Sequence, residues 1–278
     1  MIATACTSFN RGRRASAGFN LVELAIAALV MALLIGGLIV PLQTQMEGRR
    51  IDETRRILDQ AREALLGYVA ANGYFPCPAD YAGGSNGQEA IGSVHTAGAG
   101  ACPATVIGAA TPGVYIGYLP AGALGFTPVD AQGYALDAWG YQTISRIRYA
   151  VSSLNVGTAT IPFVRANGMR TAGMTAIQNT ALFSVCSTQT GSSPTGCPAG
   201  TTLTSNAIAV IWSLGSNAGS LATATADELE NAETLGTADR VFVQQVTSNV
   251  PGAVFDDQLT WIGPSMLFSR MIAAGMLP

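Results

Sequence analysis

One acidic side chain, Glu23, lies at the start of a long apolar run near the N-terminus. The 19 residues that follow it, positions 24–42, carry no charge. A carboxylate in such surroundings must be protonated, hydrated or paired with a cation, because an unpaired charge is costly in an apolar medium. The residue type and its position therefore indicate a functional role for Glu23.

A group of acidic residues lies near the C-terminal end of a chain that is otherwise poor in charge. Carboxylate oxygens grouped in loops are the ligands that Ca²⁺ prefers. The candidate ligands in this group are Asp227, Glu230, Asp239 and Asp257. Their spacing is not that of an EF-hand, and capped turns with solvated acids are the alternative interpretation.

Side chains that commonly serve in catalysis are scarce. His95 is the sole histidine, the chain has no lysine, and it contains no G-x-S-x-G motif. Schiff-base and P-loop chemistry are therefore excluded, whereas two carboxylates would suffice for glycoside hydrolysis. We predict a protein that is not an enzyme and has no cofactor besides the candidate calcium.

The overall charge argues against a nucleic-acid-binding protein. Charged residues make up 11% of the chain, with 14 basic and 17 acidic side chains. A nucleic-acid-binding surface would require clustered basic residues, so we predict no nucleic-acid partner. The composition is typical of a secreted or envelope protein with a polar, weakly charged exterior.

Four cysteines follow Cys6, which lies in the basic N-terminal segment. An even number in an exported domain predicts two disulfides, for which three connectivities exist. We favour Cys77–Cys102 and Cys186–Cys197, because each pair encloses a short glycine-containing loop.

The apolar run has the length of a membrane-spanning helix. Its 19 uncharged residues would extend about 28 Å as a helix, close to the thickness of a bilayer core. Three arginines precede the run, which predicts a cytoplasmic N-terminus. A cleaved signal peptide would have a shorter apolar region and an A-x-A site, and a plain signal anchor would leave Glu23 unexplained.

Gly18, Phe19 and Glu23 stand in the stretch G-F-N-L-V-E-L that opens this run. The stretch resembles the N-terminal motif of type IV pilin-like proteins, which include type IV pilins, minor pilins and the pseudopilins of type II secretion systems. The resemblance implies cleavage after Gly18 by a prepilin peptidase and N-methylation of Phe19. It also implies that Glu23 pairs with the free amine of Phe19 in a neighbouring subunit during assembly.

Three further stretches are similar to motifs of the same family: P-C-P-A at 76–79, D-x-W-G at 137–140, and the loop at 213–219. The last resembles an S-x-G-x-D-G loop in a region that holds a structural calcium in major pseudopilins. Asn217 stands where that loop usually carries aspartate, and it joins the candidate calcium ligands on this resemblance.

These observations predict a leader at 1–18, a transmembrane and filament-core helix at 19–42, an amphipathic continuation at 43–72, and a globular head at 73–278. The predicted fold class is α+β, with the long N-terminal helix packed on an antiparallel β-sheet in a pilin-like lollipop. The alternating charges at 47–63 indicate either a solvated helix face or ion pairing between subunits.

The predicted function is a structural subunit of a type IV pilus or type II secretion pseudopilus, and the length favours a minor subunit. The expected partners are other pilin or pseudopilin subunits, the prepilin peptidase, an inner-membrane assembly platform and, before assembly, the inner membrane itself. The expected localisation is the bacterial inner membrane, as a single-pass protein with its head in the periplasm, and then the filament. The alternative function is a membrane-anchored binding module, an adhesin or DNA-uptake factor displayed on a pilus.

Overall fold

The computed structural model describes residues 20–82, 84–96, 100–106, 113–140, 144–153, 163–219, 224–232, 239–250 and 252–277, with 36–43 described as backbone only. The chain divides into two compact units, residues 1–48 and 49–278. The predicted leader at 1–18 and Phe19 lie outside the described residues.

Helix α1 spans Leu21–Asn72 and contributes to both units. Its C-terminal end agrees with the predicted stop at Asn72-Gly73, where Gly73 has a positive φ of 78°. Glycine adopts this left-handed conformation without the strain that a Cβ would cause, so it ends the helix cleanly.

The prediction of a membrane-spanning helix is wrong. Within the described part of the chain, no helix combines the length and the apolar character that crossing a bilayer requires. This finding overturns the transmembrane part of the predicted fold class, assigned to 19–42, and the predicted single-pass localisation in a bacterial inner membrane.

The unit at 49–278 is α+β and is built around a four-stranded antiparallel sheet with the strand order β11-β7-β4-β3. Its strands are β3 (Val114–Tyr118), β4 (Arg148–Ser152), β7 (Ala209–Ser213) and β11 (Gln258–Ile262). Strands β3 and β7 are buried along their whole length, which explains why they are apolar runs rather than alternating patterns.

The two faces of this sheet belong to different apolar layers, because neighbouring side chains in a strand point in opposite directions. Tyr149 of β4 and Ile211 of β7 pack with Leu65 from the outer part of α1. Val210 and Trp212 of β7 pack on the other face with Phe183 and Phe242 of a second sheet. The core therefore has a helix layer, a central sheet and a second sheet.

The second sheet has the strand order β6-β5-β8 and contains a parallel pair, β5 with β8. Its strands are β5 (Phe183–Cys186), β6 (Thr202–Ala207) and β8 (Val241–Val243). Two small antiparallel pairs complete the strands: β1 (Val94–His95) with β2 (Gly100–Ala101), and β9 (Ser248–Val250) with β10 (Ala253–Phe255).

The remaining helices are short, except for the last. They are a 3-10 turn at Ala104–Val106, α2 (Ala121–Leu124), α3 (Gly168–Ala172), α4 (Met174–Gln178), α5 (Ala226–Asn231) and α6 (Pro264–Ala273). Helix α6 buries Leu267, Phe268 and Met271 in the same layer as α1.

Both disulfides favoured by the sequence are present. Cys77 bonds to Cys102 and Cys186 bonds to Cys197, with Cα–Cα distances of 5.6 and 5.5 Å. These distances are in the ordinary range for a disulfide, so the backbone accommodates both bonds.

Candidate functional site

The N-terminal part of α1 presents apolar side chains to solvent on every side. Leu29, Val30 and Met31 are consecutive, so they point about 100° apart around the helix, and they are 62%, 46% and 64% exposed. Leu33 and Leu34 continue the same pattern one turn later. A helix that is apolar all round is normally covered, so this surface is a candidate interface.

Glu23 lies in the first turn of α1 and is exposed. Its position suits a carboxylate, because the unpaired N–H groups at a helix start carry partial positive charge. No arginine in the described part of the chain forms a salt bridge with it. Gly18 and Phe19, the predicted processing residues, lie outside the described residues.

A second candidate site is a set of buried oxygens at the loop that follows β7. The Oδ2 atom of Asp256 accepts hydrogen bonds from the backbone N–H groups of Ser216 (2.8 Å) and Asn217 (3.3 Å). Gly215 makes this approach possible, since a Cβ at that position would lie 2.3 Å from Oδ1 of Asp256. The loop is thus folded around the Asp256 carboxylate, which is 3% exposed.

Among the described residues, two oxygens of this set have no hydrogen-bond partner. They are Oδ1 of Asp256 and Oδ1 of Asn217, and both are buried. The amide nitrogen of Asn217 donates to Oε1 of Glu228 at 2.8 Å, which turns the carboxylate of a second buried acid toward the loop. A buried acceptor without a donor costs free energy, so these atoms lack a positively charged or donating partner.

The carboxylate of Glu228 adds negative charge beside the loop, and Asp257 is a further buried acid next to Asp256 in the sequence. Glu228 belongs to the capping box of α5. The Thr225 hydroxyl accepts from the Glu228 N–H, and the Glu228 carboxylate accepts from the Thr225 N–H. Burial raises the pKa of Asp257, and the carboxylates of Asp256 and Glu228 raise it further. Asp257 also accepts a hydrogen bond of 2.9 Å from the amide of Asn231.

The unpartnered oxygens are of the types that a hard divalent cation binds. Ca²⁺ takes oxygen ligands from carboxylates and amides, and the two unpartnered oxygens are of those types. Asn217 and Asp256 would hold the ion, and the Glu228 carboxylate would contribute charge. Of these three, the sequence prediction included only Asn217 in its ligand set.

The predicted ligands Asp227, Glu230 and Asp239 form a different group. Burial, followed by the charges of Asp239 and Asp227, raises the pKa of Glu230 to about 7. Burial raises the pKa of Asp239 to about 6. Asp227 already accepts hydrogen bonds from the backbone N–H of Gln189 and the hydroxyl of Thr188, at 2.6 and 3.1 Å.

Within the described residues, no three of the acidic candidates bring their oxygens within ligating reach of one another. Calcium therefore stays a prediction, now centred on Asn217 and Asp256.

We expect millimolar Ca²⁺ to raise the melting temperature of the protein. At a hundredfold excess over Kd, binding stabilises by about 2.7 kcal/mol, which is about 5–10 °C for a domain of this size. Differential scanning calorimetry with calcium and with chelator measures the shift. Asp256→Asn should remove it and Asp227→Asn should retain it, whereas equal melting temperatures of the wild type with and without calcium would refute the site.

No family model, curated protein or solved structure matches this chain in comparisons with known proteins.

Proposed function

We propose that the protein is a structural subunit of a type IV pilin-like filament, a pilus or a secretion pseudopilus. In this proposal, copies assemble through the N-terminal part of α1 after cleavage behind Gly18. The observation that carries the proposal is the apolar surface of α1, where Leu21, Leu29 and Leu33 are 85%, 62% and 69% exposed.

Like segments of neighbouring copies would cover this surface. Each copy offers an apolar helix without a polar face, and such helices are stable when packed against one another. Apolar packing alone fixes axial register poorly, because Leu, Ile, Val and Ala side chains can interdigitate at several offsets. A single charge pair per copy would select one offset, as buried polar groups do in coiled coils.

Glu23 supplies the negative member of that pair, and the amine of a processed Phe19 would supply the positive member. The Glu23 carboxylate is exposed at the start of α1 and no described arginine forms a salt bridge with it, so it is available to a second copy. The prepilin peptidase and other pilin-like subunits are the partners that this function requires.

We expect Glu23→Ala to be processed normally and to enter filaments poorly. Loss of one member of a buried charge pair costs about 3–5 kcal/mol, so incorporation should fall at least about tenfold. Immunoblotting of sheared filaments against whole cells measures the incorporated fraction. Asp52→Ala is the matched control, because Asp52 is an exposed acid of α1 beyond the apolar segment.

Mass spectrometry of the purified protein tests the processing step independently. The expected mature N-terminus is methylated Phe19. A retained leader, a different first residue, or normal filament incorporation of Glu23→Ala would contradict the proposed function.

A further inference from the structure

The only histidine of the chain is held at both ring nitrogens. Nδ1 of His95 lies 2.7 Å from the carbonyl oxygen of Val164, and Nε2 lies 2.6 Å from Oε2 of Glu89. The imidazole side chain is 15% exposed and stacks on the ring of Tyr74, with centroids 4.5 Å apart.

This arrangement requires a doubly protonated ring. A carbonyl oxygen only accepts, so Nδ1 must carry a proton. Both oxygens of Glu89 also accept from other donors, Oε1 from the Tyr68 hydroxyl and Oε2 from the Cys77 N–H, which favours the ionised carboxylate. Burial by itself would raise the pKa of Glu89, but hydrogen bonds from His95 and the Cys77 N–H lower it. An ionised carboxylate also only accepts, and Nε2 must therefore carry the second proton.

The hydrogen bonds of His95 and Glu89 connect the end of α1, the backbone at Cys77 and the Val164 segment. Glu89 accepts from the Tyr68 hydroxyl of α1 at 3.1 Å and from the Cys77 N–H at 3.0 Å. His95 belongs to β1, whose partner β2 lies against the segment that contains Val164. That approach is close, since a Cβ on Gly100 would lie 2.4 Å from the Cα of Arg165.

We propose that the imidazolium of His95 is a proton-dependent clamp that holds the β1–β2 strand pair on the end of α1 and on the Val164 segment. Loss of one ring proton removes either the bond to Val164 or the bond to Glu89, because a neutral imidazole has a single N–H. The strand pair has only two residues in each strand, so few backbone hydrogen bonds oppose the opening of β1, while the Cys77–Cys102 disulfide keeps the end of β2 tethered.

The direction of the pH dependence follows from the neighbouring groups. Burial alone would lower the pKa of His95, but the hydrogen bonds to Glu89 and to Val164 raise it above its ordinary value of 6.5. A raised pKa in the folded state gives stability that is complete below 6.5 and is lost as the pH rises through the folded value. The other titratable or charged groups around the clamp are Tyr68, Tyr74, Tyr149 and Arg165. Burial raises the pKa of Tyr68 and Tyr149, so both stay neutral over this range.

The His95 ring can be titrated directly by NMR in the full chain, because no second histidine overlaps with it. We expect a pKa above 6.5 for the wild type and a lower value in Glu89→Gln. Tyr68→Phe is the matched control, since it removes one donor to Glu89 and leaves both partners of His95 in place.

Amide hydrogen exchange tests the release of the strand pair. Between about pH 5 and pH 9, where a histidine changes its charge, the opening of β1 in the wild type should increase by at least about tenfold after correction for chemical exchange. In His95→Gln, β1 should open at every pH to the extent that the wild type reaches at high pH, because glutamine does not titrate. A wild-type His95 pKa at or below 6.5, or protection of β1 that is independent of pH, would overturn the clamp, and both readouts require only the wild type.

Discussion

Arg146→Met is expected to lower the free energy of unfolding by about 3–5 kcal/mol. Arg146 and Asp130 form an ion pair at 2.8 Å in which the side chains are only 6% and 4% exposed. The guanidinium also lies 4.0 Å from the ring centroid of Tyr134. Methionine would retain much of the packing but leave the Asp130 carboxylate buried without its cation. Removing one partner of a buried ion pair in this way is more destabilising than removing both partners.

Arg270→Met is the matched control for this prediction. Arg270 pairs with Glu63, but these side chains are 54% and 51% exposed, and such pairs contribute about 0–1 kcal/mol. Urea unfolding of both variants gives the comparison. Similar losses of unfolding free energy for the two substitutions, or a loss below about 1 kcal/mol for Arg146→Met, would show that the buried pair stabilises the protein no more than an exposed pair does.

A double variant separates the pair from its surroundings. Asp130 also accepts hydrogen bonds from the backbone N–H groups of Gln132 and Tyr134, both at 2.9 Å, so its removal affects the turn as well. The cycle of Arg146→Met, Asp130→Asn and both together isolates the ion pair, because asparagine retains an oxygen that can accept from the turn.

The strands that the sequence predicts best are those with uninterrupted apolar runs. The stretches at 241–244 and 259–262, which correspond to β8 and β11, include the polar residues Gln244 and Thr260. The run at 207–212, which contains most of β7, is apolar throughout. A run of this kind is buried on both faces and needs no partner to be recognised. The segment at 144–151 has the alternating pattern of a strand, but β4 begins only at Arg148. Arg146 instead bridges to Leu136 and turns its side chain toward Asp130.

Other features depend on contacts between distant residues, so local patterns do not reveal them. The parallel pairing of β5 with β8 is one example, and β6 is polar enough to be taken for a loop. Glu228 carries a local signal, the T-x-x-E capping box that starts at Thr225. Its proximity to Asn217 and Asp256 has no such signal, because helix α5 and two loops must fold together to create it.

An uncharged run in the sequence was not enough to predict a membrane-spanning helix in the N-terminal segment. An uncharged run of 19 residues predicted a membrane span, but in the described residues no helix meets that requirement. What the structure describes there is an exposed apolar helix, and its surface supports the proposed assembly without reference to a bilayer.

Removal of the Cys77–Cys102 disulfide is expected to destabilise the protein more than removal of Cys186–Cys197. Chain entropy predicts losses of about 3.5 and about 2.8 kcal/mol for loops closed over 25 and 11 residues, respectively. Burial enlarges the difference, since Cys77 and Cys102 are both buried in the main apolar layer, whereas Cys186 is buried but Cys197 is only half-buried. Urea unfolding of the two double alanine variants measures both losses, and an equal or reversed order would contradict this argument.

The first of these disulfides also has a local consequence that the second lacks. The Cys77 N–H donates to Glu89, so the bond that anchors Cys77 helps to position the carboxylate that holds His95. In Cys77→Ala/Cys102→Ala we therefore expect the pKa of His95 to fall toward its ordinary value, because a less ordered Glu89 stabilises the imidazolium less. NMR titration of His95 in both double variants tests this coupling, and Cys186→Ala/Cys197→Ala should leave the pKa of His95 unchanged.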